Sequence, residues 1–225
     1  KKPIVFAGTL EVRGSVDIDG PLLIGGSLRA QGGLRVGGEL KTGADLRVDG
    51  NIRTGGKLTV LGDLHAGWGI ACADALRCDG DLRTGWGLHC SGCMRIAGNA
   101  SIGHDLEAEN DVHCGKGVHA GGDIRVANNL QAGQGIATGG SVHAGRHLMA
   151  GWGIRAGAGI SAGGSIRAGE SLTAGGAIGA GAGYGVFAGL DVQKEDWESC
   201  ARVSAAEHPD LLFSGYWAGP ELGRG

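Results

Sequence analysis

Proline is close to missing from this chain, with four in 225 residues against 49 glycines, a balance outside that of average globular proteins. No apolar run approaches the roughly eighteen residues that a membrane span needs, and no signal-peptide pattern opens the chain. An excess of one charge is missing too. A formal net charge of -3 gives no global pull toward nucleic acid or an anionic membrane. The six cysteines lack the compact spacing of a disulfide scaffold, which points to a reducing, cytoplasmic setting. Glycine does not fall at every third residue, which excludes collagen, and regularly spaced Leu, Ile and Val exclude simple disorder. The chain opens on Lys1 rather than Met, which leaves a longer precursor open.

What the chain does have is a six-residue period. In hexads counted from Lys2, the third residue is Ile4, Leu10, Val16, Leu22, Leu28, Leu34 and onward to Leu172 and Ile178 without a gap. Of these 30 positions 29 are Leu, Ile, Val or Met, and the exception is Ala100, so the register is one uninterrupted repeat. The fifth residue is small or apolar, from Phe6, Val12, Ile18 and Ile24 to alanine at every fifth position from Ala144 to Ala180. Third and fifth residues share one face of an extended strand. The sixth and first positions are mostly Gly, with Asp and Asn among the exceptions, residues that tolerate the dihedrals of a corner. Each hexad therefore predicts a very short strand and a bend, stable only when stacked on others.

The coil length is legible as well. Trp68-Gly69 and Trp86-Gly87, where glycine moves to the second position of the hexad, stand 18 residues apart, as do Lys116-Gly117, Gln134-Gly135 and Trp152-Gly153. A changed corner is easiest to accommodate beside another of the same shape. The expectation is an all-β, single-stranded parallel β-helix: a triangular solenoid of three hexads per 18-residue coil, about ten coils, with a short C-terminal cap. At a strand spacing of roughly 4.8 Å it would be on the order of 48 Å long.

Left-handed hexapeptide acyltransferases place the small residue two before the aliphatic one. Here it follows, as in Gly80-Asp81-Leu82-Arg83-Thr84-Gly85. This order resembles the bactofilins, bacterial polymer-forming proteins with right-handed triangular β-helices, over most of residues 2–181. The resemblance implies the same kind of coil and end-to-end assembly. Gly151-Trp152-Gly153-Ile154-Arg155-Ala156-Gly157 and the ending Ser214-Gly215-Tyr216-Trp217 also resemble bacterial repeat proteins to which no function is attached.

Ala182 and Gly183 interrupt the hexads, and composition changes after Gly189. Two units are therefore expected, a hexapeptide β-helix over 1–189 and a cap or partner-binding tail over 190–225. The tail holds Trp197, Tyr216 and Trp217. Its plainest task is to cover the last coil, whose strand edges would otherwise be open.

Functional chemistry is sparse. The outward fourth position carries ten arginines, Lys41 and five histidines, and the coil length stacks Arg29 on Arg47 and Arg35 on Arg53. Second-position acids such as Asp45, Asp63 and Asp81 would lie beside them, giving a solvated surface of mixed charge or, near Arg29, Arg35, Arg47 and Arg53, where acids are sparser, an anion- or acidic-protein-binding face. His65, His89, His113, His119 and His143 include no pair separated by 18. His89, Cys90 and Cys93 fall short of the four ligands of a closed zinc site, so no metal or cofactor is expected. No phosphate loop, nucleophile elbow or carboxylate pair emerges, and the chain reads as non-enzymatic.

Exposed aromatic surface remains: Trp68 and Trp86 on one corner, followed by His104, and Trp152 on another. Such indoles either seal the adjacent glycines or serve as binding anchors. At the N-terminal end Val5 and Leu23 take outward positions beside an uncapped first coil, where self-association is expected. The function that fits is a non-catalytic module that binds another protein, sequestering it as toxin-immunity proteins do. The alternative is bactofilin-like assembly end to end. Nucleic acid and a membrane span are not expected.

Overall fold

The computed structural model describes residues 2–220; Lys1 and residues 221–225, the last part of the expected tail, lie outside the described residues. From Ile4–Phe6 to Leu172–Ala174 the chain repeats three-residue strands, each followed by a three-residue corner. Successive strands fall in turn on three parallel sheets, so each strand pairs with the one three hexads away. Leu28, Leu46 and Leu64 form one internal column, stacked at a register of 18 residues. The expected triangular coil is what forms.

The hexad explains this local structure. Third and fifth side chains are buried and the fourth lies outside in nearly every strand past the first coil, as in Leu46-Arg47-Val48. Backbone bonds run along the axis at both sides of the strand: Leu28 N–H donates to Asp45 O at 2.9 Å, and Gly43 N–H to Ile24 O at 2.8 Å. A strand too short to exist alone thus has its polar groups paired by the coils above and below.

Glycine at the sixth position has a different cause from the one its turn propensity predicts. Among the described residues positive φ occurs only at Gly183, Gly189, Gly215 and Gly219, all beyond the hexad repeat. Within the repeat, a Cβ on Gly43 would run into the carbonyl oxygen of Gly25, and one on Gly67 into that of Asp49. At these two corners the neighbouring coil comes too close for a side chain as the backbone stands, whereas corners such as those of Leu61, Asp79 and Ala97 sit differently and carry one.

The first two sheets contain 12 strands each and the third contains 10. Ten complete coils match the expected number, and two partial rungs come from the C-terminal segment. The inserted pair Ala182 and Gly183 lengthens the step from Ile166 to its partner Val186, and Gly183, with φ 78°, takes the left-handed conformation that an L side chain resists. The chain then adds Val186–Phe187 to the first sheet and, from the tail, Arg202–Ser204 to the second, with the short helix Trp197–Cys200 between them. A second pass adds Leu212–Ser214 and Tyr216–Trp217. The cap is therefore largely more solenoid. Val203 stacks on Leu172 and is fully buried, while half-buried Trp217 packs against the end of the core and meets the His208 ring at 4.9 Å.

Candidate functional site

The fold leaves its sides and its two ends for function. Along the sides, the second position of the hexad does unexpected work. Its C=O accepts from the strand of the coil before, but its N–H has no backbone acceptor. Short polar side chains supply one from the preceding coil: Asp45 Oδ1 accepts from Asp63 N–H (2.9 Å), Asp63 from Asp81 (2.8 Å), Asp81 from Asn99 (2.7 Å) and Asn99 from Gly117 (3.3 Å). Asn51, Asp105, Asp111, Asp123 and Asn129 do the same. These bonds hold the Asp81 and Asp105 carboxyls below the ordinary carboxylate range; the largest cause is the backbone N–H of Asn99 and of Asp123, respectively.

The acids expected to offset the arginines are thus largely engaged along the axis. Ion pairing falls mainly to other acids, many at the sixth position. Arg77 makes two parallel bonds to Asp79, at 2.8 and 3.0 Å, and Arg47 lies 3.7 Å from Asp49. Arg35 reaches across one coil to Asp17 at 2.8 Å, so its surroundings are less poor in acids than the spacing predicts. Arg29 does stack on Arg47 and Arg35 on Arg53. Arg29 and Arg53 have no ion-pair partner among the described residues, although Glu11 faces Arg29 across one coil.

Trp68, Trp86 and His104 occupy one corner in successive coils, joined by Trp86 N–H to Trp68 O (3.0 Å) and His104 N–H to Trp86 O (3.2 Å). The Trp86 indole stacks on the His104 ring, with centroids 4.4 Å apart and planes 16° from parallel. Trp68 and Trp86 remain 62% and 56% exposed. A shallow hollow of about 200 Å³ lies beside them on the third face, lined by Asn51, Arg53, Ala71, His89 and Glu107 around Gly69 and Gly87. Trp152 stands on a different corner, also exposed, above a larger trough on the second face.

The ends differ. Ile4, Val5 and Phe6 are exposed, and among the described residues the outer edge of the first coil has no pairing partner; Leu23 is half-buried one coil in. At the other end Trp197 covers Gly189, where a Cβ would approach its ring to 2.9 Å. Trp197 and Trp217 are thus engaged in packing, while Tyr216 and Phe213 face outward. Phe213 stacks on Phe187 at 5.6 Å, and Arg167 lies over Phe187 at 5.5 Å, a cluster on the first face that the hexad pattern does not announce.

Cys72, Cys78, Cys90 and Cys114 are buried and Cys93 is exposed, as their hexad positions predict. Burial pushes the Cys78 thiol up to about 11 and the Cys114 thiol in the same direction. Among the described residues no group of three or more His, Cys, Asp or Glu could hold a metal ion, and no helix is long and apolar enough to cross a membrane. No family model, no curated protein and no solved structure matches the chain.

Proposed function

We propose that this protein is a non-catalytic rod that binds another protein through its side, at the corner formed by Trp68, Trp86 and His104. The observation that carries this reading is the pair of indoles left more than half exposed on consecutive coils. A rigid scaffold holds them, with Arg53 and His89 beside them and a shallow hollow at their base. Tryptophan and arginine are the residues most enriched among binding hot spots, and a preformed β-helix orders little on binding. Sequestration of the partner, in the manner of a toxin-immunity protein, requires nothing further of such a surface.

Copurification of the tagged protein from its native cell tests this. Trp68→Ala and Trp86→Ala should each weaken the captured complex by about 2 kcal/mol, the scale of a hot spot, and leave the melting temperature unchanged. Retention of the partner by the double variant would refute the assignment.

One observation favours a second reading, self-association through the N-terminal coil. Among the described residues, Ile4, Val5 and Phe6 are exposed beside strand edges that pair on one side alone, whereas half-buried Trp217 packs against the opposite end of the core. That asymmetry suits two copies meeting head to head better than a bactofilin-like filament growing through both ends. Val5→Lys and Leu23→Glu should then yield monomers in sedimentation and leave partner capture intact. Long filaments of the wild-type protein in electron microscopy, lost only with these substitutions, would favour the polymer.

A further inference from the structure

The trough on the second face, about 480 Å³, has a chemical origin. At the second hexad position three consecutive coils carry glycine, Gly117, Gly135 and Gly153, where neighbouring coils carry Asp81, Asn99 and Ser171. The axial ladder of side-chain acceptors therefore stops at Asn99, which serves Gly117 N–H. The next three N–H groups, of Gly135, Gly153 and Ser171, have no acceptor within the described protein. They form a row of donors spaced about 4.8 Å apart along the floor.

The fourth position of the same strands forms the adjoining wall. It reads Arg83, Ser101, His119, Ala137, Arg155, Thr173, alternating long basic and short side chains along one column. The basic groups recur every second coil, roughly 9.6 Å. Arg83 and Arg155 have no ion-pair partner among the described residues, and Asp81 is the one acid lining the trough. Trp152, 52% exposed, stands at the opposite wall beside Gln134.

We propose that this trough is a carbohydrate site that takes a linear, uronate-bearing oligosaccharide laid along the rod axis. An extended pyranose chain advances by close to one coil spacing per sugar, so each ring presents an oxygen acceptor to the N–H row. Carboxylates on alternate sugars then meet Arg83, His119 and Arg155 in turn. The indole of Trp152 offers its electron-rich face to the C–H face of a pyranose. An extended peptide fits worse, because its rise of about 3.3 Å per residue falls out of step with the coils. This site lies on a different corner from Trp68 and Trp86, so it stands or falls independently of the protein-binding reading.

The variant that tests it is Gly135→Asn. A Cβ there comes no nearer than 3.3 Å to Gly153 O, and Asn51, Asn99 and Asn129 already occupy second positions and accept from the next coil. The new side chain would fill the trough, take up Gly153 N–H and leave the fold intact. Isothermal titration of the full chain with a hyaluronan hexasaccharide, in which uronate alternates with an acetylated amino sugar, should detect binding that weakens as salt rises. Gly135→Asn and Trp152→Ala should each reduce affinity about tenfold or more, at unchanged melting temperature. Arg155→Gln should reduce it for this probe and leave the weaker binding of neutral chitohexaose as it was. The proposal is overturned by absence of binding at millimolar hexasaccharide, by chitohexaose binding equally well, or by Gly135→Asn leaving affinity unchanged. It is equally overturned if hexaglutamate binds in place of the sugar, which would make the trough a peptide site. Should Gly135→Asn melt early, the exposed Trp152→Ala decides alone.

Discussion

At the scale of single residues, the same side chain can be read as surface charge or as part of the backbone's own bonding, and the solenoid decides for the second at Asp45, Asp63 and Asp81, while Asp105 and Asp123 do both, pairing also with His104 and Arg125. An aspartate in this position accepts an N–H that would otherwise depend on water. Asp81 accepts from both the backbone and the side chain of Asn99. Asp81→Ala should cost about 1 kcal/mol or less, since solvent screens the exposed carboxylate, whereas Asp81→Asn keeps an acceptor and should cost less. The pH dependence has a definite sign. The folded-state pKa values of Asp81 and Asp105 are depressed, so their contribution is complete above the ordinary carboxylate value. It is lost as pH falls through the lower, folded values. Thermal melts from neutral pH to about pH 2 should show the wild type losing stability below roughly pH 4. The Asp81→Asn, Asp105→Asn double variant should lose less. An identical acid loss in both proteins would locate the titrating groups elsewhere.

The element is a strand of three residues, and its inward pair is what the core sees. Because side chains alternate, slipping any strand by one residue would exchange its buried and exposed sets. The cysteines report this register. Cys72, Cys78, Cys90 and Cys114 hold inward fifth positions, while Cys93, at a second position, and Cys200, in the short helix, are exposed. In native protein a maleimide should modify Cys93 and Cys200 rapidly and the other four only after denaturant is added, as mass spectrometry of labelled peptides would reveal. Burial also keeps the Cys78 thiol protonated, with its pKa near 11, so raising the pH to about 9 should not make it reactive while the fold persists. Rapid native labelling of Cys78 or Cys114 would mean that the first-sheet strands open locally.

For the whole molecule, the two ends carry different loads. Fifth-position side chains shrink from Phe6, Ile18 and Ile24 to an unbroken series of alanines, so the last coils bury less apolar surface apiece. The tail compensates: Ala201, Val203 and Ala205 are fully buried against them, beside Val186 and Ala188 of the preceding stretch. Full burial of one valine is worth about 1.5 kcal/mol or more. Deleting residues 190–225 strips both final rungs from the second sheet and the last from the first, exposing the edge of Leu172–Ala174. Hydrogen exchange of the truncated chain should show protection lost first from Ile154 to Ile178 and retained near Leu46. Undiminished protection through Ile178 would mean that the tail is free for another role.

What the residue order determined by itself is whatever repeats. The hexad fixes which side chains face inward, and corner variants recurring at 18 residues fix the coil. Columns such as Leu28, Leu46 and Leu64, the stack of Arg29 on Arg47 and the corner shared by Trp68, Trp86 and His104 follow from counting, because a closed coil turns sequence separation into distance along the axis. Three features lay beyond counting: the acceptor ladder that occupies Asp45 to Asp123, the unpaired floor of the trough at Gly135 and Gly153, and the return of the tail into the sheets. A ladder exists only when an N–H is seen to lack a backbone acceptor. A trough exists only when side chains missing from three consecutive coils are seen to leave connected space. The tail's path had no period to announce it, since Gly183 and the helix Trp197–Cys200 redirect a chain whose strands are then recruited by the open edges of the last coil. Tertiary structure decided these points because each depends on atoms of neighbouring coils, which the hexad repeat places side by side without specifying what they bond.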